Sequence, residues 1–333
     1  MARMETTAQS KKERLTHNMK TIYLNDGTGP LEPCVATIGF FDGVHLGHQY
    51  LISRVRQEAA SAGLGSLVVT FDRHPRQVLR QDYQPELLST LDTKLLLLSK
   101  TGVDTTALLH FDQELASLSA HDFMAHVLRD RLGVRKLIIG YDNRFGHNRS
   151  EGFDDYVRYG NELGIEVIHH PAFVMGSVNV SSSVVRAFVK EGEIELANRC
   201  LGYPYTIAGK VVDGHKEGRR IGFPTANLDT SCFGQLIPAG GVYAVKVRLE
   251  HSMAFRPAMM NIGTRPTFGG HTQSQEVYIF NFDEDIYGRV LQVSFVSRIR
   301  EERKFANVTQ LVEQLKEDEK QVEQQLSIKR NRT

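Results

Sequence analysis

The hydrophobic period changes once along this chain, and that change limits the folds open to it. Before Gly202-Tyr203-Pro204, apolar runs alternate with stretches of helical spacing; after it, the spacing falls to two. Strands alternating with helices build a parallel, doubly wound α/β sheet. Short strands without helices between them build an antiparallel sandwich or barrel. At 333 residues the chain has room for both. The expected organisation is a loose polar tail over 1–20, an α/β domain over 21–203 and a β domain over 204–333.

In the first half, Cys34–Phe40, Ser66–Phe71, Thr106–Phe111, Lys136–Tyr141 and Ile165–His169 read as strands. Lys94–Lys100, His121–Leu132 behind the Ser119/Asp122 capping pattern, and Phe153–Leu163 read as helices, and Val184–Leu201 as one more. In the second half, Val245, Val247 and Leu249 alternate with Lys246 and Arg248, and Leu291, Val293 and Phe295 with Gln292 and Ser294. Glu276–Phe282 is a further strand. Val308, Leu311, Val312 and Leu315 stripe a terminal helix capped by Asn307.

A net charge of +1 offers no basic surface for nucleic acid, and no apolar run approaches membrane length. The first twenty residues lack the apolar core of a signal peptide. Cys34, Cys200 and Cys232 match neither a disulfide framework nor a metal spacing. These features point to a cytoplasmic protein acting on small molecules, with no nucleic-acid or membrane partner; they specify no oligomeric state.

The chemistry concentrates after the strands, where ligands of such sheets bind. The first strand runs into T-I-G-F-F-D-G-V-H-L-G-H, Thr37–His48. Asp42-Gly43 marks a turn, and Leu51, Ile52 and Val55 then repeat at helical spacing. His45 and His48 are expected on the first turn of that helix, on one face, where free N–H groups and the dipole attract anions. Gly47 between them removes a side chain where a flat ligand would lie against backbone. Zinc is a competing reading of the histidine pair, weakened by the lack of a neighbouring cysteine pair. Later strands end in Asp72-Arg73-His74-Pro75-Arg76, in Gly140–Gly146 with Asn143 and Arg144, and in Ser181-Ser182-Ser183 with Arg186. Together these loops fit a polyphosphate site better than any one of them does alone.

The β half carries two segments of its own. In Gly218–Leu228, the glycines, Gly222 among them, and the basic Lys216, Arg219 and Arg220 suit a loop whose amides meet phosphate. It lacks the G-K-[ST] of a Walker loop. Thr225 and Asn227, two apart, set a hydroxyl and an amide on one side of an extended chain, hard oxygen ligands that suit Mg²⁺. Composition alone also admits a plain basic turn. Glu276 opens an otherwise apolar strand and has the surroundings of a general base; periodicity alone also admits an exposed strand end.

The string G-F-F-D-G-V-H-L-G-H resembles the nucleotidyltransferase signature in the form found in bacterial bifunctional riboflavin kinase/FMN adenylyltransferases (FAD synthetases). The segments around His74, Arg144 and Arg186 resemble the same family, with Ser183 and Val185 where threonine and isoleucine are usual. G-x-x-x-G-F-P-T-A-N-L, 218–228, resembles the riboflavin kinase signature, and Asn261–Gly269 and Arg300–Phe305 match further family segments. The resemblance spans residues 20–310.

It implies a kinase barrel behind the α/β domain, with ATP as co-substrate, Mg²⁺ as cofactor, and riboflavin, FMN and FAD as substrates or products. It implies that His45 and His48 bind ATP phosphates, and that Ser182, Ser183 and Arg186 bind the β,γ end. Gly39, Phe40 and Asp42 belong to the nucleotide pocket, and Asn143 and Arg144 face either substrate. Thr225 and Asn227 then hold the magnesium–nucleotide, and Glu276 is the catalytic base. Two rivals are an adenylyl- or cytidylyltransferase for another phosphorylated molecule and a non-catalytic flavin-binding module. The T-A-N loop with Glu276 argues against the first, and the intact site residues against the second.

Overall fold

The computed structural model describes residues 19–24, 30–79, 86–141, 143–214, 217–250, 252–267 and 270–327. The expected tail therefore lies outside the described residues up to position 18, as do Asp142, Lys216, Phe268 and Gly269. The chain divides into two compact units: residues up to Pro85 with Leu91–Val180, and Glu86–Thr90 with Ser181 onward.

The first unit is a parallel sheet of β1 (Lys20–Leu24), β2 (Cys34–Ile38), β3 (Gly65–Phe71), β4 (Thr105–Leu109), β5 (Val134–Gly140) and β6 (Glu166–His170). Its order is β1-β4-β3-β2-β5-β6, so the winding reverses beside β2. β2 is buried throughout, and alternate residues serve opposite faces. Val35 packs with Ile52 and Val55 of α1 (Leu46–Ala62). Ala36 and Ile38 pack with Met124 and Leu128 on the other side. α2 (Leu91–Lys100) lies with α1's face, and α3 (Phe123–Arg131) and α4 (Phe153–Leu163) with the opposite one. A small hairpin, β7 (Val174–Met175) and β8 (Val178–Asn179), follows β6.

Three expectations are corrected here. β1 had not been expected, yet it pairs with β4 from Lys20↔Thr105 to Leu24↔Leu109. The segment expected as an α-helix over 121–132 is π-helical over Phe123–Arg131, although Ser119 caps its start as expected, its Oγ accepting from Asp122 N at 3.0 Å. The single helix expected over 184–201 is two, α5 (Ser182–Glu191) and α6 (Ile194–Leu201), separated by Gly192 at φ 79°.

The second unit contains those helices and a closed antiparallel barrel of β9 (Thr206–Val212), β10 (Ala226–Asp229), β11 (Gly241–Leu249), β12 (Arg256–Thr267), β13 (Gly270–Ile279) and β14 (Val290–Arg300). Short β10 closes it by pairing with both β9 and β13. α7 (Val308–Gln325) starts at Asn307, whose Oδ1 accepts from Gln310 N at 2.9 Å. Val322 and Leu315 of α7 cover Val242, Ala244 and Met259. Arg300 at the end of β14 donates through Nε (2.9 Å) and Nη2 (2.7 Å) to the fully buried Asp318.

The unit begins at Ser181 rather than near Tyr203, because α5 and α6 dock on the barrel. Asn198 Nδ2 donates to Phe295 O at 2.9 Å, its Oδ1 accepts from Tyr205 N at 2.6 Å, and Val189 O accepts from Ala239 N at 3.3 Å. Ile194 and Leu201 are fully buried. A fragment starting at Ser181 is therefore expected to melt at least about 5 °C above one starting at Pro204, from the lost hydrogen bonds and burial. Equal melting temperatures by circular dichroism would show that the two helices add nothing to the barrel.

Candidate active sites

The winding reverses beside β2, the place where open parallel sheets bind ligands, and there the chain makes an unusual turn. Phe41 (φ 55°) and Val44 (φ 38°) sit in the left-handed region, which costs about 1–3 kcal/mol each. Both side chains are buried in the core, at 2% and 1% exposure, which returns a comparable amount. The turn delivers His45 as the N-cap of α1, not as a residue of its first turn. His45 Nδ1 accepts from His48 N at 3.3 Å, so Nε2 is left to carry the proton. The two imidazoles stack with centroids 3.7 Å apart, and Phe41 meets His48 edge-on at 4.9 Å. Asp42 is buried beside them.

Gly47 has a packing reason beyond the open face expected of it. A Cβ there would stand 2.8 Å from Val180 O and 3.1 Å from the His45 ring. Gly39 continues the ladder through its N–H to Val69 O at 3.0 Å. The Phe40 carbonyl accepts from Thr70 Oγ1 (3.1 Å) and Lys94 Nζ (3.2 Å), while its ring meets His74 edge-on at 4.7 Å. Asn143 Nδ2 donates to Ile38 O, which ties the loop after β5 to the end of β2. Arg144 is exposed on that loop.

Two groups here were missed by sequence reasoning. In the sequence Lys94 marks only a helix start; its signal is its place four residues before Leu98 on the buried stripe of α2. His110 falls inside the expected strand Thr106–Phe111; in the structure its Nδ1 lies 2.6 Å from Asp72 Oδ2. Burial pushes the Asp72 carboxyl up, but hydrogen bonds from His110 and Phe111 N, with the charges of His110 and Arg73, outweigh it and hold Asp72 below the usual range.

Ser181, Ser182, Ser183 and Arg186 belong to the second unit, at the start of α5. Ser181 is the N-cap, its Oγ accepting from Val184 N at 3.3 Å. Arg186 Nε donates to Glu86 O at 2.9 Å.

On the barrel, register assembles the second site. Glu276 on β13 faces Asn227 of β10 on one side and Asn261 of β12 on the other. Register partners share a sheet face, so the carboxylate and both amides lie together. Thr225 Oγ1 donates to Glu276 Oε2 at 3.3 Å. The hydrogen bond from Thr225 and the pairing of β10 with β13 thus bring Thr225, Asn227 and Glu276 together, although spacing alone related only the first two. Arg219 and Gly222 shape the approach. One turn, Glu217–Arg220, ends with Phe223 N donating to Gly218 O (2.8 Å) and Gly222 N to Arg219 O (3.5 Å). That is a Schellman closure, and Gly222 at φ 86° takes its left-handed position. A cavity of about 390 Å³ adjoins, lined by Arg219, Thr225, Val277, Ile279, Asp283 and Tyr287 among others. Thr225 is the point where cavity and carboxylate meet; Glu276 and Asn227 do not line the cavity. Among the described residues, no group of three His, Cys, Asp or Glu side chains forms a metal cage.

Residues 28–184 match the family model described as FAD synthetase, and residues 201–326 the one described as riboflavin kinase. The bifunctional riboflavin kinase/FMN adenylyltransferase of Escherichia coli K12 is 38% identical over 295 residues, 89% of this chain and 93% of that protein. Its namesake from Listeria monocytogenes is 38% identical over 307 residues, covering 90% and 96%. The one from Bacillus subtilis is 34% identical over 294 residues, covering 86% and 90%. A Streptococcus pneumoniae crystal structure described as a macrolide-efflux protein has a TM-score of 0.81 at 33% identity, covering 91% and 98%. Among the described residues of this chain, no helix is long and apolar enough to cross a membrane.

The switch-point α/β unit and the closed barrel correspond to the two matched family models, and with the relatives they make the chain a transferase. The chain belongs to the bifunctional riboflavin kinase/FMN adenylyltransferase family.

Because Val180 O leaves no space for a methyl, Gly47→Ala is expected to lower stability by about 1–3 kcal/mol through overpacking. Thermal unfolding followed by circular dichroism measures this. An unchanged melting temperature would show that the helix start gives way freely.

Proposed function

We propose that the barrel phosphorylates riboflavin to FMN and that the α/β unit adenylylates FMN to FAD, each step consuming ATP. The observation that carries the reading is the meeting of Thr225, Asn227 and Glu276 by strand register. In the kinase step, Glu276 accepts the proton of the ribityl 5′-hydroxyl as that oxygen bonds to the γ-phosphorus, and ADP leaves with the electrons of the broken P–O bond. The hydroxyl of Thr225 and the amide oxygen of Asn227 offer hard donors that fit Mg²⁺ bound with ATP. When bound, that ion neutralises charge on the phosphate oxygens. Arg219 and the turn ended by Gly222 offer a guanidinium and backbone amides to the ATP phosphates.

In the adenylyl step, an FMN phosphate oxygen bonds to the α-phosphorus of ATP and pyrophosphate leaves. No covalent nucleophile is required, so positioning and fixed positive groups carry the rate. His45 and His48 bind the ATP phosphates at the start of α1, with Nε2 of His45 as a donor. Gly39, Phe40, Asp42 and Gly47 form the nucleotide pocket. Asn143 shapes it through the Ile38 carbonyl, with Arg144 on the same loop. The family resemblance assigns Ser182, Ser183 and Arg186 to the β,γ end of the nucleotide. The enzyme works in the cytoplasm on small molecules, without a nucleic-acid or membrane partner; its near-zero net charge and its free cysteines support that setting.

The direct test is incubation with riboflavin, ATP and Mg²⁺ and separation of the flavins. FMN is expected first and FAD after it; unchanged riboflavin defeats the reading.

Two substitutions separate the sites. Glu276→Gln keeps the shape but cannot accept the proton, so kcat for FMN formation is expected to fall about 10²–10⁴-fold, with riboflavin binding and FAD formation kept. His48→Ala is expected to abolish FAD formation and spare riboflavin phosphorylation. A Glu276→Gln kinase rate within about fivefold of the parent would reassign the base. A normal adenylylation rate in His48→Ala would remove the histidine helix from the mechanism.

A further inference from the structure

Lys94 is only 3% exposed, yet it sits on a helix face otherwise used for packing. Burying an ammonium is costly unless its donors are met, and an apolar side chain there would pack α2 without that cost. Its donors meet particular partners. Nζ donates to Phe71 O at 2.7 Å and to Phe40 O at 3.2 Å, and lies 4.2 Å from the centre of the Phe40 ring. Phe71 is the last residue of β3, and Phe40 lies two residues past the end of β2. α2 also packs against the turn Asp42–Val44.

We propose that Lys94 is a positioning residue for adenylyl transfer: its ammonium ties the carboxyl ends of β2 and β3 together and so holds the turn that carries Asp42 and starts the histidine helix. The proposal rests on the α/β unit being the FMN adenylyltransferase. Lys94 touches no reacting atom; it acts through the Phe40 and Phe71 carbonyls.

The charges facing Lys94 are the carboxylates of Asp42, on the turn, and Asp72, after β3; Asp72 is itself bound by His110 and lies near Arg73. Burial lowers the pKa of the ammonium to about 8, against the pull of both carboxylates. A lowered lysine pKa means that the charged tether is present at neutral pH and is lost as pH rises through about 8.

The test follows FMN-to-FAD turnover by the full chain, from neutral to alkaline pH, in the parent protein, Lys94→Arg and Lys94→Met, with riboflavin phosphorylation measured in parallel. In Lys94→Met, kcat at neutral pH is expected to fall about 10²-fold, as for a site shifted by roughly an ångström. KM for ATP and FMN should stay within about threefold, because the groups that bind them remain. Lys94→Arg keeps the charge and is expected to recover most of the rate. The parent's rate should decline through about pH 8, and that decline should be absent in Lys94→Arg. Phosphorylation should be unchanged in all three. Wild-type kcat in Lys94→Met, equal loss in both variants, or an alkaline decline that persists in Lys94→Arg overturns the proposal. Should Lys94→Met fail to fold, the two remaining pH profiles decide. A parent protein that phosphorylates riboflavin but forms no FAD at any pH overturns the underlying reading instead, and the proposal with it.

Discussion

The parallel ladder of β2 ends with Ile38 and the N–H of Gly39, and the carbonyls of Ile38 and Phe40 at that end take donors from elsewhere. Asn143 supplies one to Ile38, and Thr70 and Lys94 supply two to Phe40. Fixed in this way, the chain enters a turn with two left-handed non-glycine residues, a conformation that persists only where its surroundings over-determine it. Burial of Phe41 and Val44 supplies the rest of that constraint. The turn sets the direction of α1 and stacks His45 on His48. The histidine geometry therefore depends on hydrogen bonds made by residues distant in sequence, on β3, on α2 and after β5.

The barrel solves its own placement problem by register. Glu276, Asn227 and Asn261 stand on three neighbouring strands and come level because closure fixes how far each strand slides. A slip of one residue would turn Glu276 to the opposite face. α7 reinforces that closure from outside. The pair Arg300–Asp318 locks it to β14, and a buried pair of this kind costs about 3–5 kcal/mol to break from one side.

The elements that sequence reasoning missed share a cause. β1 is a short edge strand with no fully buried residue and no strict alternation, so its pattern is weak and its existence depends on β4 offering a partner. The π-helical stretch keeps an apolar spacing close to that of an α-helix, and only backbone hydrogen bonding tells the two apart. Gly192 was visible, but whether a glycine interrupts a helix or rides inside it depends on what the next segment packs against. Here that is β14, through Asn198. The same dependence moved the start of the second unit from near Tyr203 to Ser181.

The sequence by itself determined the two fold classes, the strand-to-helix turn with its paired histidines, and the placing of Thr225 and Asn227 on one side of an extended segment. These are local matters of period, turn residues and spacing, which act over a few residues. Period alone left sandwich and barrel open, the motifs' resemblance implied the barrel, and tertiary structure alone decided that Glu276 falls between two amides. It alone decided that Gly47 is squeezed by Val180 and that a lysine inside an apolar helix reaches two carbonyls at the sheet edge. Each of these is a contact between residues far apart in the chain, fixed by strand register and helix docking, and no local pattern specifies where such partners meet.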